Sequence, residues 1–354
     1  MPKEILFCLE DLCFGGTQRQ TLELAKRLDR QKFSPSMLML TGPTDLDELA
    51  FKEKIKLHYL NNTRRVHPLF FVKLGCTLRR LKPDLIIPCT ALPNIWARIW
   101  GHLLKIPVIG TCRGGGGPFR QHERFLWKYT KHMICNSQAL VDVLGGLGVV
   151  KEHLTYIPNG VDTAYFKPTP PPPSERAPII LCVARLCSDK DHVTLFQAFE
   201  KVYLKFPAAR LLIVGDGPDE AKLKSWAKQH PNLPIEFQPG TTDVRSYYAA
   251  AKIFALSSIR EGQPNVILEA MSAGLPICAT SVGGIPHLID HDRTGILSAP
   301  KDIKALADNL LAIFSDPQKA DDYGDSARII AQTKFSFSTM VEMHQNLFSL
   351  VLNQ

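Results

Sequence analysis

Two glutamates, Glu261 and Glu269, flank the segment of this chain with the clearest chemical potential. An apolar run at 252–257 predicts a buried strand before them, and the residues after Pro264 predict a helix. The free N–H groups at the start of such a helix attract an anion. One carboxylate could then reach hydroxyls near the anion and the other could reach hydroxyls further along. A sugar–diphosphate–nucleoside has that layout, although Glu261 as a helix cap and Glu269 as a solvated residue remain the plain alternative.

Two cations point to the same edge of a predicted sheet. Arg185 ends the predicted strand 179–185, and Lys190 lies just before the predicted helix 193–206. Open α/β sheets bind ligands where strands end and helices begin. Arginine suits bidentate contact with phosphate, and lysine adds a compact positive charge.

The elements that must position these residues alternate regularly through the second half of the chain. Such alternation predicts a parallel, doubly wound α/β sheet. The predicted strands are 179–185, 210–214, 234–238, 252–257 and 275–279, and the predicted helices are 193–206, 220–229, 242–250 and the helix after Pro264.

The first half begins in the same way. A strand at 5–9 is followed by Gly15-Gly16 and a predicted helix at 17–28. Glycines at that point let the backbone approach a diphosphate and aim N–H groups at it. A later strand, 107–111, leads into Cys112-Arg113 and the four glycines 114–117, and a strand-end Ser137 precedes the predicted helix 138–145.

Together these motifs resemble family 4 of the glycosyltransferases, which are retaining enzymes with the two-domain GT-B fold. The resemblance covers nearly the whole chain, and its motifs are highly specific in combination. They are Gly15-Gly16, Pro158 to Asp162, Arg185 with Lys190, Gly215-x-Gly217-Pro218, Glu261-x7-Glu269 and Gly274-x-Pro276.

The resemblance implies two Rossmann-like domains facing a cleft, with a C-terminal helix near 338–352 crossing back to the first domain. It implies a metal-independent, hexosyltransferase-like enzyme that uses a UDP- or GDP-sugar as co-substrate and needs no other cofactor. The expected acceptor is a lipid-linked or cell-envelope glycan.

Site roles follow from the same resemblance. Glu261 is expected to bind sugar hydroxyls and Glu269 the ribose. Arg185 and Lys190 would stabilise the leaving diphosphate. The remaining expected donor contacts are the helix-start residues Asn265, Val266 and Ile267, the loop residues Gly15 and Gly16, and the segment around Gln238 for the base.

One residue departs from the family pattern. Many members carry a histidine near the position of Arg113, so a mechanism that requires that histidine is in doubt. Arg113 could contact an anionic group on donor or acceptor, or the loop could be a plain surface turn. The departure keeps open a degenerate transferase acting as a nucleotide-sugar-binding scaffold subunit. A nucleotide-sugar epimerase is a further alternative on the same fold.

Length and a proline-rich segment divide the chain. Its 354 residues suit two domains. The segment 167–174 favours extended polyproline and predicts a semi-rigid linker. We therefore expect an acceptor-binding domain at 1–166, a donor-binding domain at 175–335 and the C-terminal helix at 336–354.

Charge is concentrated in the first part. Residues 1–166 carry 23 Lys and Arg against 14 Asp and Glu, whereas residues 167–354 carry 19 against 20. The basic stretch Lys52–Lys82 surrounds Leu69-Phe70-Phe71-Val72, which favours peripheral contact with an anionic membrane. An ordinary solvated face with Phe70 and Phe71 in the core is the alternative. No nucleic-acid recognition motif accompanies the charge.

Apolar runs, cysteines and Asp-x-Asp pairs limit the classes of protein to which the chain can belong. No apolar run approaches the length of a membrane helix, and the nine cysteines lack a Cys-x-x-Cys pair, which predicts reduced thiols and a cytoplasmic location. Asp45-x-Asp47 and Asp290-x-Asp292 resemble a metal-binding pattern of a different transferase fold, and we expect neither to hold a metal.

Overall fold

The computed structural model describes residues 1–62, 68–114 and 121–353. The chain forms two compact α/β units. The first comprises residues 1–159 together with the C-terminal segment from Phe337, and the second comprises 160–336.

The first unit alternates strands and helices along the chain. Its elements are β1 (Lys3–Leu9), α1 (Gly16–Arg27), β2 (Phe33–Met39), α2 (Asp47–Lys52), β3 (Lys56–Tyr59), α3 (Pro68–Leu81), β4 (Leu85–Pro88), α4 (Ala91–Leu104), β5 (Ile109–Cys112), α5 (Glu123–Leu126), β6 (His132–Cys135), α6 (Gln138–Gly146) and β7 (Leu154–Tyr156).

All strand pairs in the first unit are parallel. One sheet has the order β3-β2-β1-β4, and a second has the order β5-β6-β7. A parallel bridge between Ile86 and Val108 joins β4 to the residue before β5. The combined order β3-β2-β1-β4-β5-β6-β7 is that of a Rossmann sheet with one further strand at its edge.

The second unit repeats this arrangement. Its elements are β8 (Ile179–Val183), α7 (His192–Lys205), β9 (Arg210–Val214), α8 (Glu220–Gln229), β10 (Ile235–Gln238), α9 (Arg245–Ala250), β11 (Ile253–Leu256), α10 (Asn265–Ser272), β12 (Ile277–Thr280), β13 (Ile296–Ser298), α11 (Ile303–Ser315) and α12 (Pro317–Lys334). The order β10-β9-β8-β11-β12-β13 is again that of a Rossmann sheet. The predicted fold class, two Rossmann-like doubly wound units, is confirmed.

The last helix, α13 (Phe337–Leu352), belongs to the first unit. Its buried side chains Met340 and Phe348 share a hydrophobic cluster with Ile5 and Phe7 of the first strand. Phe348 meets Phe33 edge to face, with ring centroids 6.0 Å apart. Helix α13 therefore completes the core of the first unit, although it follows the second unit in sequence.

The proline-rich segment packs on the second unit. The Arg176 guanidinium donates to the carbonyls of Thr169 and Pro171 at 2.6 and 2.8 Å, and Phe166 lies in the core of that unit. Residues 160–174 are thus structured parts of the second unit, which begins several residues earlier than the sequence suggests.

Helix α3 corrects one detail of the sequence analysis. Phe70 is buried and Phe71 is half-buried, with its carbonyl accepting from the Trp100 indole at 2.8 Å. The exposed apolar side chains are Leu69 and Val72, at 75% and 55% exposure. The alternative that places these two aromatics in the core is therefore confirmed for Phe70 and holds in part for Phe71. The cations Arg64 and Arg65 lie outside the described residues.

None of the helices in the described ranges combines the length and hydropathy that crossing a membrane requires.

Candidate functional site

The second sheet changes winding direction between its two central strands, β8 and β11. These strands are neighbours, but the chain proceeds from β8 to one side and from β11 to the other. Ligands of doubly wound sheets bind outside the carboxyl ends of strands at such a switch point. Arg185 and Lys190 follow β8, and Glu261 follows β11. The order of the strands therefore places these three residues at the same edge of the second sheet, at the carboxyl ends of its strands.

Hydrogen bonds join the loops that follow these strands. The Ser257 hydroxyl donates to the carbonyls of Lys190 and Asp191 at 3.0 and 2.9 Å. The Ile259 N–H donates to the Asp189 carbonyl at 2.8 Å. In this way the β11 loop fixes the turn that carries Lys190.

A third loop, after β12, packs against the same place. The Gly284 N–H donates to the Gly262 carbonyl at 2.8 Å. Gly283 has φ of +55°, and a Cβ there would lie 2.8 Å from the carbonyl carbon of Glu261. Only glycine allows this approach, because both the left-handed backbone and the contact exclude a side chain.

Lys190 and Glu261 form an ion pair with each other. Their side chains are 20% and 8% exposed. The Ser258 hydroxyl donates to the same oxygen, Glu261 Oε1, at 2.8 Å. The sequence assigned these residues to different parts of a ligand and gave no sign of the pairing, since it depends on two loops meeting at the switch point.

Arg185 differs from Lys190 in being exposed. Its carbonyl accepts from the Cys187 N–H at 2.9 Å, which turns the loop. Among the described residues, its guanidinium has no hydrogen-bond or ion-pair partner. An exposed arginine at a switch point has its donors available to an anion.

Helix α10 begins at Asn265, directly after the extended Pro264. The N-cap residue Pro264 makes no side-chain capping hydrogen bond. Glu261 Oε1 accepts instead from Lys190 and Ser258, so the reading of Glu261 as a cap is wrong. The Ile267 N–H donates to the Pro264 carbonyl at 3.2 Å, whereas the N–H groups of Asn265 and Val266 precede the first full turn of the helix. The Ile267 side chain is fully buried and anchors the turn in the core.

Glu269 lies one turn further along α10 and is only 6% exposed. The Tyr248 hydroxyl donates to Glu269 Oε2 at 3.0 Å. The alternative that Glu269 is a solvated helix residue is therefore wrong. A carboxylate withdrawn from water and held by a hydrogen bond is a fixed acceptor.

Gln238 ends β10, two strands from β8. Its carbonyl accepts from the Gly215 N–H at 3.0 Å, and Asp216 Oδ2 accepts from the Gly240 N–H at 3.0 Å. The β9 and β10 loops are thereby joined at the same sheet edge as the three loops above.

The remaining predicted contacts lie in the first unit. Gly15 is the N-cap residue of α1 and Gly16 its first residue. The Arg113 guanidinium donates to Asn159 Oδ1 at 3.1 Å, and burial lowers the pKa of Arg113. The Asn136 amide approaches the same oxygen at 3.4 Å. Gly115, Gly116 and Gly117 lie outside the described residues.

Both Asp-x-Asp pairs are tied into local structure. Asp47 accepts from the Tyr59 hydroxyl, and Asp45 accepts from the Phe14 N–H at 3.2 Å. Asp292 accepts from the Tyr323 hydroxyl at 3.0 Å. In the ranges that the structure describes, no group of three or more His, Cys, Asp or Glu could hold a metal ion.

Two family models match the chain, one in each half. Residues 14–165 match the model described as Glycosyltransferase Family 4. Residues 167–329 match the model described as Glycosyl transferases group 1.

Individual relatives match over shorter stretches. An uncharacterized glycosyltransferase of Haemophilus influenzae is 34% identical over 158 residues, covering 43% of this chain and 44% of the relative. A GDP-mannose-dependent alpha-(1-6)-phosphatidylinositol monomannoside mannosyltransferase of Mycobacterium tuberculosis is 28% identical over 205 residues, covering 53% of each. The chain spans about half the length of these relatives.

Solved structures match over the whole length. Anabaena HepE in complex with UDP superimposes with a TM-score of 0.85 at 21% identity, covering 99% of this chain and 100% of HepE. HepE in complex with UDP-glucose gives 0.84 at 22% identity, covering 98% and 99%. A glycosyltransferase from Rickettsia africae gives 0.85 at 21% identity, covering 99% of both chains. The fold is therefore GT-B.

Proposed function

The chain belongs to family 4 of the glycosyltransferases, with the GT-B fold, and on that premise we propose that it transfers a sugar with retention from a nucleotide-sugar donor to a lipid-linked or cell-envelope glycan acceptor. The observation that carries the proposal is the meeting of three loops and the start of α10 at the switch point of the second sheet. Lys190, Glu261 and the start of α10 meet there.

The donor's diphosphate supplies the anion for this place. Arg185 and Lys190 bind its oxygens, and the helix start at Asn265 and Val266 faces it, while the N–H of Ile267 is shared with the Pro264 carbonyl. Glu261 accepts hydrogen bonds from the sugar hydroxyls and Glu269 from the ribose hydroxyls. Gly15 and Gly16 approach the diphosphate from the first unit, and the backbone around Gln238 contacts the base.

The reaction breaks the bond between the anomeric carbon and the diphosphate oxygen. The bonding electrons leave with the diphosphate, and a hydroxyl oxygen of the acceptor forms the new bond on the same face. The acceptor's proton passes to the leaving diphosphate. Charge on that group grows during the step, so Arg185 and Lys190 stabilise the transition state more than the ground state. In this scheme they do the work that a metal ion performs elsewhere.

Thermal stabilisation by nucleoside diphosphates tests the donor site. We expect UDP or GDP, and the matching UDP- or GDP-sugar, to raise the melting temperature, with ADP as the comparison. Ligand at ~100 times its Kd adds roughly 2.7 kcal/mol to the free energy of unfolding. The response should disappear in Glu269→Ala. A panel without any stabilising nucleotide would overturn the proposed function and favour a subunit without donor binding.

Relatives supply the class of donor and acceptor. HepE binds UDP and UDP-glucose in the solved complexes, and the mycobacterial relative is named for GDP-mannose and a phosphatidylinositol mannoside. These names support a UDP- or GDP-sugar and an acceptor of the cell envelope.

The outer face of α3 supports peripheral contact with the cytoplasmic face of a membrane. Leu69 and Val72 are exposed at one end of the helix, and Arg79 and Arg80 are exposed at the other. An apolar contact flanked by cations suits an anionic lipid surface, to which each cation adds about 1 kcal/mol. The acceptor, if lipid-linked, lies at that surface.

Flotation with lipid vesicles tests this contact. We expect binding to phosphatidylglycerol vesicles, weaker binding to phosphatidylcholine vesicles, and loss of binding in a Leu69→Ser, Val72→Ser variant. Leu204→Ser is the matched control, because Leu204 is 78% exposed but lies on α7 of the second unit. Equal flotation of the double variant and the wild type would rule out α3 as the contact.

A further inference from the structure

Tyr248 is a fully buried tyrosine whose hydroxyl reaches the second glutamate of the site. It is 1% exposed and lies on α9, the helix before β11. Its oxygen is 3.0 Å from Glu269 Oε2 and 3.3 Å from the Val266 carbonyl. The hydroxyl has one proton, and the shorter contact is the one to the carboxylate.

Packing fixes the tyrosine at both ends. Its ring meets Phe166 edge to face and lies tilted against Phe254, with centroids 5.7 and 5.8 Å apart. Its backbone carbonyl accepts from the Arg176 guanidinium at 3.3 Å. The hydroxyl therefore cannot follow the carboxylate if Glu269 rotates.

We propose that Tyr248 is a positioning residue that orients the Glu269 carboxylate toward the ribose hydroxyls of the donor nucleotide. This inference rests on the proposed function and goes beyond it, because Tyr248 belongs to no motif of the site and acts only through Glu269. The hydrogen bond from Tyr248 to Glu269 joins α9 to α10, which are separated in sequence by β11.

The need for such a residue follows from the length of the glutamate side chain. Glu269 has three side-chain torsions, and fixing them costs rotamer entropy. A carboxylate accepts about four hydrogen bonds, so the bond from Tyr248 leaves capacity for a ribose diol. A hydrogen bond present before binding lowers the cost of ordering the acceptor when the nucleotide arrives.

The test compares UDP with 2′,3′-dideoxy-UDP, and GDP with its dideoxy analogue, by calorimetry on wild type and Tyr248→Phe. The substitution keeps the ring and removes the hydroxyl. We expect the variant to bind the ribonucleotide about tenfold more weakly and to bind the dideoxynucleotide as the wild type does. In turnover, the KM for the donor should rise while kcat changes little.

Tyr247→Phe is the matched control, because it removes the neighbouring hydroxyl on the same helix and should change neither affinity. An equal loss for ribo- and dideoxynucleotide in Tyr248→Phe, or no loss, would overturn the proposal. If Tyr248→Phe does not fold, Glu269→Asp serves, since it withdraws the carboxylate from the hydroxyl. Unchanged discrimination between ribo- and dideoxynucleotide in that variant would also overturn it. Absence of nucleotide binding by the wild type would instead count against the proposed function itself.

Discussion

At the scale of single residues, the ion pair of Lys190 and Glu261 links two roles that the sequence kept apart. The two opposite charges meet at the switch point, and the Ser258 hydroxyl donates to the same glutamate oxygen that pairs with Lys190. A diphosphate that binds Lys190 must share it with Glu261. In the proposed site, the ion pair therefore couples the Lys190 contact with phosphate to the Glu261 contact with the sugar. If one side chain moves toward the ligand, the other loses its ion-pair partner.

Lys190→Ala tests the proposed role of that cation. We expect kcat to fall by about 10²- to 10³-fold, since removal of a single stabilising donor has an effect of that size, while circular dichroism shows an intact fold. Lys228→Ala is the control, because Lys228 is exposed in the last turn of α8, at the end opposite to the loop that begins the helix. Full activity of Lys190→Ala would remove Lys190 from the site.

Gly283 gives a second residue-scale prediction. Alanine there would take a left-handed backbone, which costs about 1–2 kcal/mol, and would press on the carbonyl of Glu261. We expect Gly283→Ala to lower the free energy of unfolding and to weaken nucleotide binding. Denaturant unfolding and calorimetry measure the two effects.

Gly145→Ala is the control for that substitution. Gly145 lies in α6 with nothing within 4 Å of a Cβ, so alanine there should stabilise the helix by about 0.5–1 kcal/mol. If Gly283→Ala is as stable as Gly145→Ala and binds nucleotide normally, the close approach of the loops has no role.

The sequence was sufficient to bring Arg185, Lys190 and Glu261 to one sheet edge, because strand ends of a parallel sheet share an edge. It could not reveal that Lys190 pairs with Glu261 or that Tyr248 reaches Glu269. Those contacts depend on how loops and helices distant in sequence pack, and nothing local reports them. A signal existed only for Phe70: its i, i+4 relation to Leu74 places both on the buried side of α3.

At the scale of elements, most bounds follow from the hydrophobic pattern, and the differences have local causes. The helix predicted at 242–250 begins only at Arg245. The Asp243 carboxylate accepts hydrogen bonds from the Arg245 N–H and guanidinium at 3.2 and 2.9 Å. A turn stabilised by this side chain therefore takes the place of the first helical turn. Short polar residues compete with the helix in this way, and the pattern of apolar residues does not show it.

Helix α13 carries a buried histidine into the core of the first unit. His344 is 1% exposed, and its Nδ1 lies 2.8 Å from the Met340 carbonyl. Burial, helped by the Arg113 charge and opposed by the hydrogen bond to the Met340 carbonyl, lowers the pKa of His344 to about 3. The folded state thus disfavours the imidazolium, whereas an unfolded histidine titrates near pH 6.5.

The sign of the resulting pH dependence follows from proton uptake. Below pH ~6.5 the unfolded state binds a proton that the folded state refuses, so stability falls as pH decreases toward the folded-state pKa. We expect the free energy of unfolding to drop by up to about 1.4 kcal/mol per pH unit per such group between pH ~6.5 and ~4. His192, whose burial lowers its pKa to about 4, adds a similar contribution.

Denaturant unfolding of His344→Leu across this range isolates the helix. In this variant, the slope of the free energy of unfolding against pH should decrease by the contribution of about one proton. His287→Leu, at an exposed position of the second unit, should keep the wild-type slope. A wild-type slope in His344→Leu would show that α13 has no part in the acid sensitivity.

At the scale of the whole molecule, charge is distributed unevenly between the two units. The basic excess lies in residues 1–166, whereas 167–354 are nearly neutral. All the predicted donor contacts except Gly15 and Gly16 lie in the second unit. The proposed division of labour, membrane and acceptor on one unit and donor on the other, matches this distribution.

The ends of the second unit meet, and this permits a direct test of where donor affinity resides. The Val161 N–H donates to the Phe335 carbonyl at 2.8 Å, and Val161 bridges Ser336. A fragment that consists of residues 160–336 alone therefore keeps the contact between its two ends and the complete core of the second unit. We expect this fragment to unfold cooperatively and to bind the nucleoside diphosphate within about tenfold of the full chain, a difference of about 1.4 kcal/mol. The same fragment with Lys190→Ala should bind much more weakly. A folded fragment without affinity would show that the Gly15-Gly16 loop supplies most of the binding free energy, because that loop is the only predicted donor contact the excision removes.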